Sequence, residues 1–364
     1  MNPHKMTLPL IMALLLLIAA CSGAGKPGEK GKHSGVEYYR NLLTSQTPFD
    51  LEHGIHPLTA RQAKTINSYK FTYDTSGRLV SVEYVRNHIL LGYSTMGFAA
   101  KVTYEYADNK QFKYYFSNKN EPIENAGVFK AEYTLNGKGI RTGLKFFGRY
   151  GEGVENRNRI HSFTWSILPD GMVRELRYDL TGRETVLNPF CPFYELRFTY
   201  NEKGYVTRMA NYKADTLYNC TAENCGEVGV CYFIFEPNEQ GDVEKFSVFN
   251  ATGLTSNVYW GWSKRINRFD KNGYVLETEF FDQDGDYIAG KRVPVMQYDY
   301  DRHGAVTEVR NLDRDRKPYN NPESRVALTR YKYDDQGNRT ETLRFDKDGV
   351  AVHILYDLTN CCCF

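Results

Sequence analysis

Four cysteines, Cys191, Cys220, Cys225 and Cys231, are the residues of this 364-residue chain whose type and spacing most directly suggest chemistry. Thiols either close disulfides or hold a metal. Four and five residues separate the last three, a spacing that matches no common zinc finger, and no histidine is nearby. In an oxidising compartment two disulfides follow, with the three possible pairings left open. Cys361, Cys362 and Cys363 are consecutive and pair poorly with one another, because a disulfide needs separated, suitably oriented Cα atoms. Whether they form links between molecules or belong to a disordered tail is open.

The acids and histidines give less. Asp282-Gln283-Asp284-Gly285-Asp286 resembles a calcium loop, but the sixth and twelfth places hold Tyr287 and Val293 instead of the glycine and glutamate such a loop requires. Asp299 and Asp301 invite comparison with the paired carboxylates of glycoside hydrolysis. Both recur at fixed positions in a repeat, which points to structure. His33, His53, His56, His88, His161, His303 and His353 are scattered. No glycine-rich phosphate loop and no Gly-x-Ser-x-Gly elbow is present. No catalytic, cofactor-binding or metal-ligating residue is assigned, and a non-enzymatic protein without a cofactor is expected. Tyr259-Trp260-Gly261-Trp262 interrupts the repeat; Tyr259, Trp260 and Trp262 are the binding candidates, with packing across adjacent strands as the competing reading. Trp165 is a further aromatic that could stack on a sugar if exposed.

These residues hang on a repeat. Tyr331-Lys332-Tyr333-Asp334-Asp335-Gln336-Gly337 recurs with its glycine slot at Gly77, Lys110, Gly137, Gly171, Gly204, Gly241, Gly273, Gly304 and Gly337, at spacings of 33, 27, 34, 33, 37, 32, 31 and 33. A period of this size marks a repeat architecture. Alternating aromatic and polar residues, as in Tyr298-Asp299-Tyr300, put one side-chain row on each face of a sheet. In Asp-x-x-Gly the side-chain oxygen accepts from the backbone two residues on, and glycine supplies the positive φ of a tight reversal. Each unit therefore reads as two strands and two turns. Nine units give about eighteen strands, beyond the roughly ten at which an open sheet curls or closes. The expected fold is all-β: antiparallel hairpins in one curved or spiralling sheet. A β-propeller is the alternative, although its blades need roughly 40–45 residues.

The repeat domain spans 69–357, leaving a tail at 358–364. Ahead of it, Ser34-Gly35-Val36-Glu37 and Thr59-Ala60-Arg61-Gln62 fit capping boxes, so 35–68 is expected to be a helical cap on the first repeat. Residues 21–34, rich in glycine and lysine from Ser22 on, are expected to form a flexible tether. Lys5 followed by the 15-residue apolar run Met6 to Ala20 reads as a signal peptide over 1–20, short of the roughly 20 residues a membrane-spanning helix needs. A formal net charge of +2 with no basic cluster excludes a nucleic-acid binder.

Two family resemblances follow from these residues. Ile18-Ala19-Ala20-Cys21 resembles the lipobox of bacterial lipoproteins. That resemblance implies that Cys21 is acylated as the mature N-terminus, that the protein sits in the bacterial cell envelope, and, with Ser22 next, that the outer membrane holds it. Phe71-Thr72-Tyr73-Asp74-Thr75-Ser76-Gly77 and Tyr331 to Arg339 resemble the Tyr-Asp repeats of RHS (rearrangement hot spot) proteins, which implies a wound sheet of hairpins. The period is longer than that family's usual one, and neither its core segment nor a toxin module is found, so toxin delivery does not carry over. The function expected is that of a lipid-anchored envelope protein binding a protein or glycan through its repeat surface. The alternatives are an envelope hydrolase acting on glycan or lipid, and a structural spacer.

Overall fold

The computed structural model describes residues 33–43, 48–92, 95–187, 193–218, 230–250, 261–288, 290 and 292–353. It is all-β. The described strands form one 22-stranded antiparallel sheet, against the eighteen expected. The additional four are β1 (Val36–Leu42), β2 (Gly54–Leu58) and the short pairs Ile89–Leu90 and Thr216–Leu217. Consecutive hairpins pair edge to edge from β3 (Ser68–Tyr73) and β4 (Leu79–Arg86) to the strands Leu328–Tyr333 and Arg339–Phe345. This continuous sheet excludes a propeller of separate blades.

The turns form as the sequence chemistry requires. Asp74 Oδ1 accepts from the backbone N–H groups of Ser76 and Arg78, both at 2.9 Å. Asp270, Asp301 and Asp334 repeat the pattern with the N–H groups two and four residues on, as do Asp179, Asp282, Asp313 and Asp346 at the second turns. The repeat tyrosine has a role of its own. The hydroxyls of Tyr106, Tyr300 and Tyr333 each donate at 2.9 Å to a carbonyl of the preceding hairpin, on Leu79, Val275 and Val306 respectively. Each of these latches ties one unit to the next, whereas Tyr133 donates to Asp50 and the buried Tyr200 hydroxyl has no partner among the described residues.

Two register assignments are corrected. In the third unit the turn glycine is Gly139 (φ 73), not Gly137, because Asn136 opens the turn and Gly139 N–H donates back to its carbonyl at 2.8 Å. At Lys110 no glycine is needed: Ala107 pairs directly with Lys110 across a two-residue turn, in which Asp108 takes the positive φ.

The expected helical cap at 35–68 is also corrected. Val36-Glu37-Tyr38-Tyr39 begins β1, which pairs with both β2 and β3. β-branched and aromatic residues favour a half-buried strand, and these pairings outweigh the local capping signal. The Thr59 capping box does form: Thr59 N–H and Oγ1–H donate to Gln62 Oε1 at 2.9 and 2.8 Å, while Gln62 N–H returns to Thr59 Oγ1 at 3.2 Å. It serves only a single 3-10 turn, Gln62–Lys64.

β1 and β2 act as a hub for the first turns of distant repeats. Arg40 donates to the Tyr274 hydroxyl, and Asn41 Nδ2 to the Gly273 carbonyl at 3.2 Å. His56 Nε2–H donates to the Asp242 carboxylate at 2.8 Å, and the His53 ring meets Tyr205 at 5.8 Å. The sheet then winds round to meet its own start. Asn67 N–H donates to the His303 carbonyl at 2.9 Å, Arg86 to the Asp335 carbonyl, and Asn118 Nδ2 to Asn338 Oδ1 at 3.2 Å.

Two glycines of nearly equal backbone geometry test this hub. Gly182 (φ +83) has nothing within 4 Å of an added Cβ, whereas at Gly273 (φ +85) the His56 ring would lie 2.2 Å away. Gly182→Ala should cost about 1–2 kcal/mol from the left-handed backbone alone. Gly273→Ala should cost roughly 1–3 kcal/mol more, from overpacking. Chemical denaturation of the two variants measures the difference, and equal values would contradict the contact.

Candidate binding face and buried charge clusters

The residues singled out in the sequence fall into three groups. Cys21, Cys191, Cys220, Cys225, Tyr259 and Trp260 lie outside the described residues, as do Cys361, Cys362 and Cys363. Cys231 is buried with a free thiol that donates to the Tyr218 carbonyl at 3.3 Å. Burial pushes that thiol above its ordinary pKa. The described tryptophans pack. Trp262 is half-buried between the rings of Phe246 and Phe280, at 5.5 and 5.6 Å. Trp165 is buried and donates its Nε1–H to Glu175 Oε2 at 2.8 Å.

The acids belong to the framework. Asp282 and Asp301 each bind their own turn. Hydrogen bonds to the ionised form hold turn carboxylates below the ordinary carboxylate range, chiefly from the Arg78 backbone at Asp74, the Thr181 hydroxyl at Asp179 and the Asn338 amide at Asp334. Asp299 pairs with Arg310, and Glu308 Oε1 with Arg330 Nε at 2.6 Å. Asp299, Glu308 and Arg330 line an open groove of about 600 Å³ on the last hairpins, which also includes Tyr331, Lys332 and Leu343. Among the described residues no group of three histidine, cysteine or acidic side chains is placed to hold a metal ion.

Two buried charge clusters escaped the sequence reading. In the first, the segment Phe49 to Glu52 enters the core face. Lys113 Nζ lies 2.5 Å from Glu52 Oε1 and 3.1 Å from Asp50 Oδ2. Tyr104 donates to Glu52 and Tyr133 to Asp50. Arg141 binds the Phe49 carbonyl at 2.7 Å and Gln111 Oε1 at 2.8 Å. Burial alone would pull Lys113 down, but the Asp50 and Glu52 carboxylates hold it well above its ordinary value. In the second, Arg177 is fully buried and donates to Glu175 Oε1 at 2.9 Å and to the Phe193 and Tyr194 carbonyls at 2.6 and 2.7 Å. A signal for the first existed: Arg141 stands two residues after its turn glycine, where the units from 173 to 306 carry valine.

The core face is not filled along its whole length. The buried apolar cluster runs from Leu42 to Val248, and among the described residues beyond it Trp262 packs against it, while Ser263 and Thr278 are also buried. On the last hairpins Met296, Tyr298, Val309 and Tyr331 are half-buried.

With this geometry established, the chain can be set against known proteins. No family model matches it, and no curated protein matches it. It is similar to the TcdB2-TccC3-TEV crystal structure at 10% identity and a TM-score of 0.30, over 86% of this chain and 15% of that one. A Tc holotoxin pore structure from Photorhabdus luminescens gives 10% identity and a TM-score of 0.29, over 83% of this chain and 15% of that one. A porin-like protein from Bacteroides uniformis gives 11% and 0.22, over 86% and 96%. The chain thus spans about 15% of the length of the first two. At these scores the likenesses carry no functional reading.

Proposed function

We propose that the chain is a lipid-anchored protein of the bacterial cell envelope, held at the outer membrane through acylated Cys21, whose curled hairpin sheet binds a protein or glycan polymer and catalyses no reaction. One observation supports the binding reading above the others: the repeated turn acids are spent on their own turns, and Tyr106, Tyr300 and Tyr333 on the neighbouring hairpin. Side chains outside the repeat positions are left to face a ligand. The anchor reading rests on the sequence around Cys21, since several acyl chains hold a protein at a bilayer where one is marginal.

The anchor is tested by labelling cells with a palmitate analogue and separating membranes. The wild-type chain should carry label and sediment with the outer membrane, whereas Cys21→Ala should lose both. Label or sedimentation retained in Cys21→Ala would overturn it. Binding is tested by equilibrium titration of the detergent-solubilised chain with isolated envelope polysaccharides and proteins; turnover of a glycan or lipid substrate would overturn the non-enzymatic reading.

A further inference from the structure

Strand pairing carries the core face past the end of its buried apolar cluster. Phe246 pairs with Arg265, and Arg265 with Phe280. Two residues along, Asn267 pairs with Thr278 and Thr278 with Met296, and Tyr298 follows Met296 on the same face. Arg265 is therefore on the core side, half-buried, with its guanidinium 5.5 Å from the Phe246 ring and 5.9 Å from that of Trp262. Its Nε is enclosed and has no hydrogen-bond partner among the described residues. Loss of water pulls the guanidinium below its ordinary value, opposed by the neighbouring Tyr298 and, among the described residues, by no carboxylate.

The Nε atoms of Arg40 and Arg177 are enclosed in the same way, but Arg40 donates to the Tyr274 hydroxyl and Arg177 to the Glu175 carboxylate, as Lys113 has Glu52. Arg265 has no such acceptor among the described residues. On the opposite face of the same hairpins, Glu277 and Glu279 are paired with Arg316. An enclosed cation without an acceptor is costly unless something supplies one. A carboxylate offers two oxygens in the geometry a guanidinium matches.

We propose that the core-side face around Arg265 binds a carboxylated polysaccharide, a polyuronate, the ligand carboxylate pairing with the guanidinium and the sugar rings lying against Tyr298. This rests on the polymer-binding reading above and names its ligand class. A peptide that binds by strand addition needs a free strand edge, and the strand bearing Arg265 is paired on both sides. Recognition here has to come from side chains, and an aromatic-flanked cation suits a charged sugar.

The test uses the full chain in detergent, titrated calorimetrically with a galacturonic acid oligosaccharide, its methyl ester and poly-glutamate. The acidic oligosaccharide should bind, the methyl ester at least about tenfold more weakly, with affinity falling as salt rises. Arg265→Gln should lose about tenfold in affinity, and Arg265→Lys should retain part of it. If Arg265→Gln fails to fold, Tyr298→Ala serves as the second variant, with a loss of several-fold expected. Equal binding of ester and acid, or full affinity in the variants, would overturn the assignment while leaving a polymer-binding protein. Preferential binding of poly-glutamate, or no binding of either sugar, would also overturn it.

Discussion

Replacing Lys113 with methionine should lower the stability of the fold by about 3–5 kcal/mol, the range for removing one partner of a buried ion pair. Lys113 is 8% exposed at its side chain and Glu52 10%, so little water reaches the carboxylate left behind. Methionine keeps most of the volume, which separates the charge effect from a cavity. Chemical denaturation of the purified chain reads the change directly. Glu52→Gln in the same background should recover part of the loss, because it removes the uncompensated charge while keeping an acceptor for Tyr104. A Lys113→Met chain as stable as wild type would mean that the Phe49 to Glu52 segment is not seated on the core face.

An effect of similar size is expected at Arg177. Its side chain is fully enclosed, and Glu175, 8% exposed at its side chain, depends on it. Arg177→Met leaves the Glu175 carboxylate with the Trp165 N–H alone and strips the Phe193 and Tyr194 carbonyls of their donor. The expected cost is again about 3–5 kcal/mol. Burial already raises Glu175, the Arg177 charge opposing it, so in the variant this carboxyl should titrate higher still. The double variant Arg177→Met, Glu175→Met should regain much of the loss, since replacing a whole buried pair by apolar residues of like volume is often neutral. Failure of the double variant to improve on the single one would assign the loss to the two carbonyls instead.

What was legible in the sequence was the part dictated by short-range chemistry. An Asp or Asn three residues before a glycine specifies a reversal wherever it occurs, so the hairpins could be placed before any contact was known. The same rule, applied strictly at Asn136, selects Gly139 over Gly137. The N-terminal strands were not legible for the opposite reason. Ser34-Gly35-Val36-Glu37 satisfies a helical capping pattern over four residues, and the pairing of β1 with β3 that overrides it involves residues some thirty positions away. The hub contacts of Arg40 and His56 reach across 234 and 186 positions, and no periodicity announces them. Arg265 was hidden too, because an arginine on a strand reads as surface until its neighbours are known to be Phe246 and Trp262.

The central claim is that the repeat chemistry builds one wound sheet, closed at its start by β1 and β2 as integral strands. Native-state hydrogen exchange tests it most directly. The account predicts that the amides of Tyr38, Tyr39 and Leu43 exchange as slowly as those of β3, with which β1 is paired. Rapid exchange across Val36–Leu42 and Gly54–Leu58 while the hairpins stay protected would contradict it.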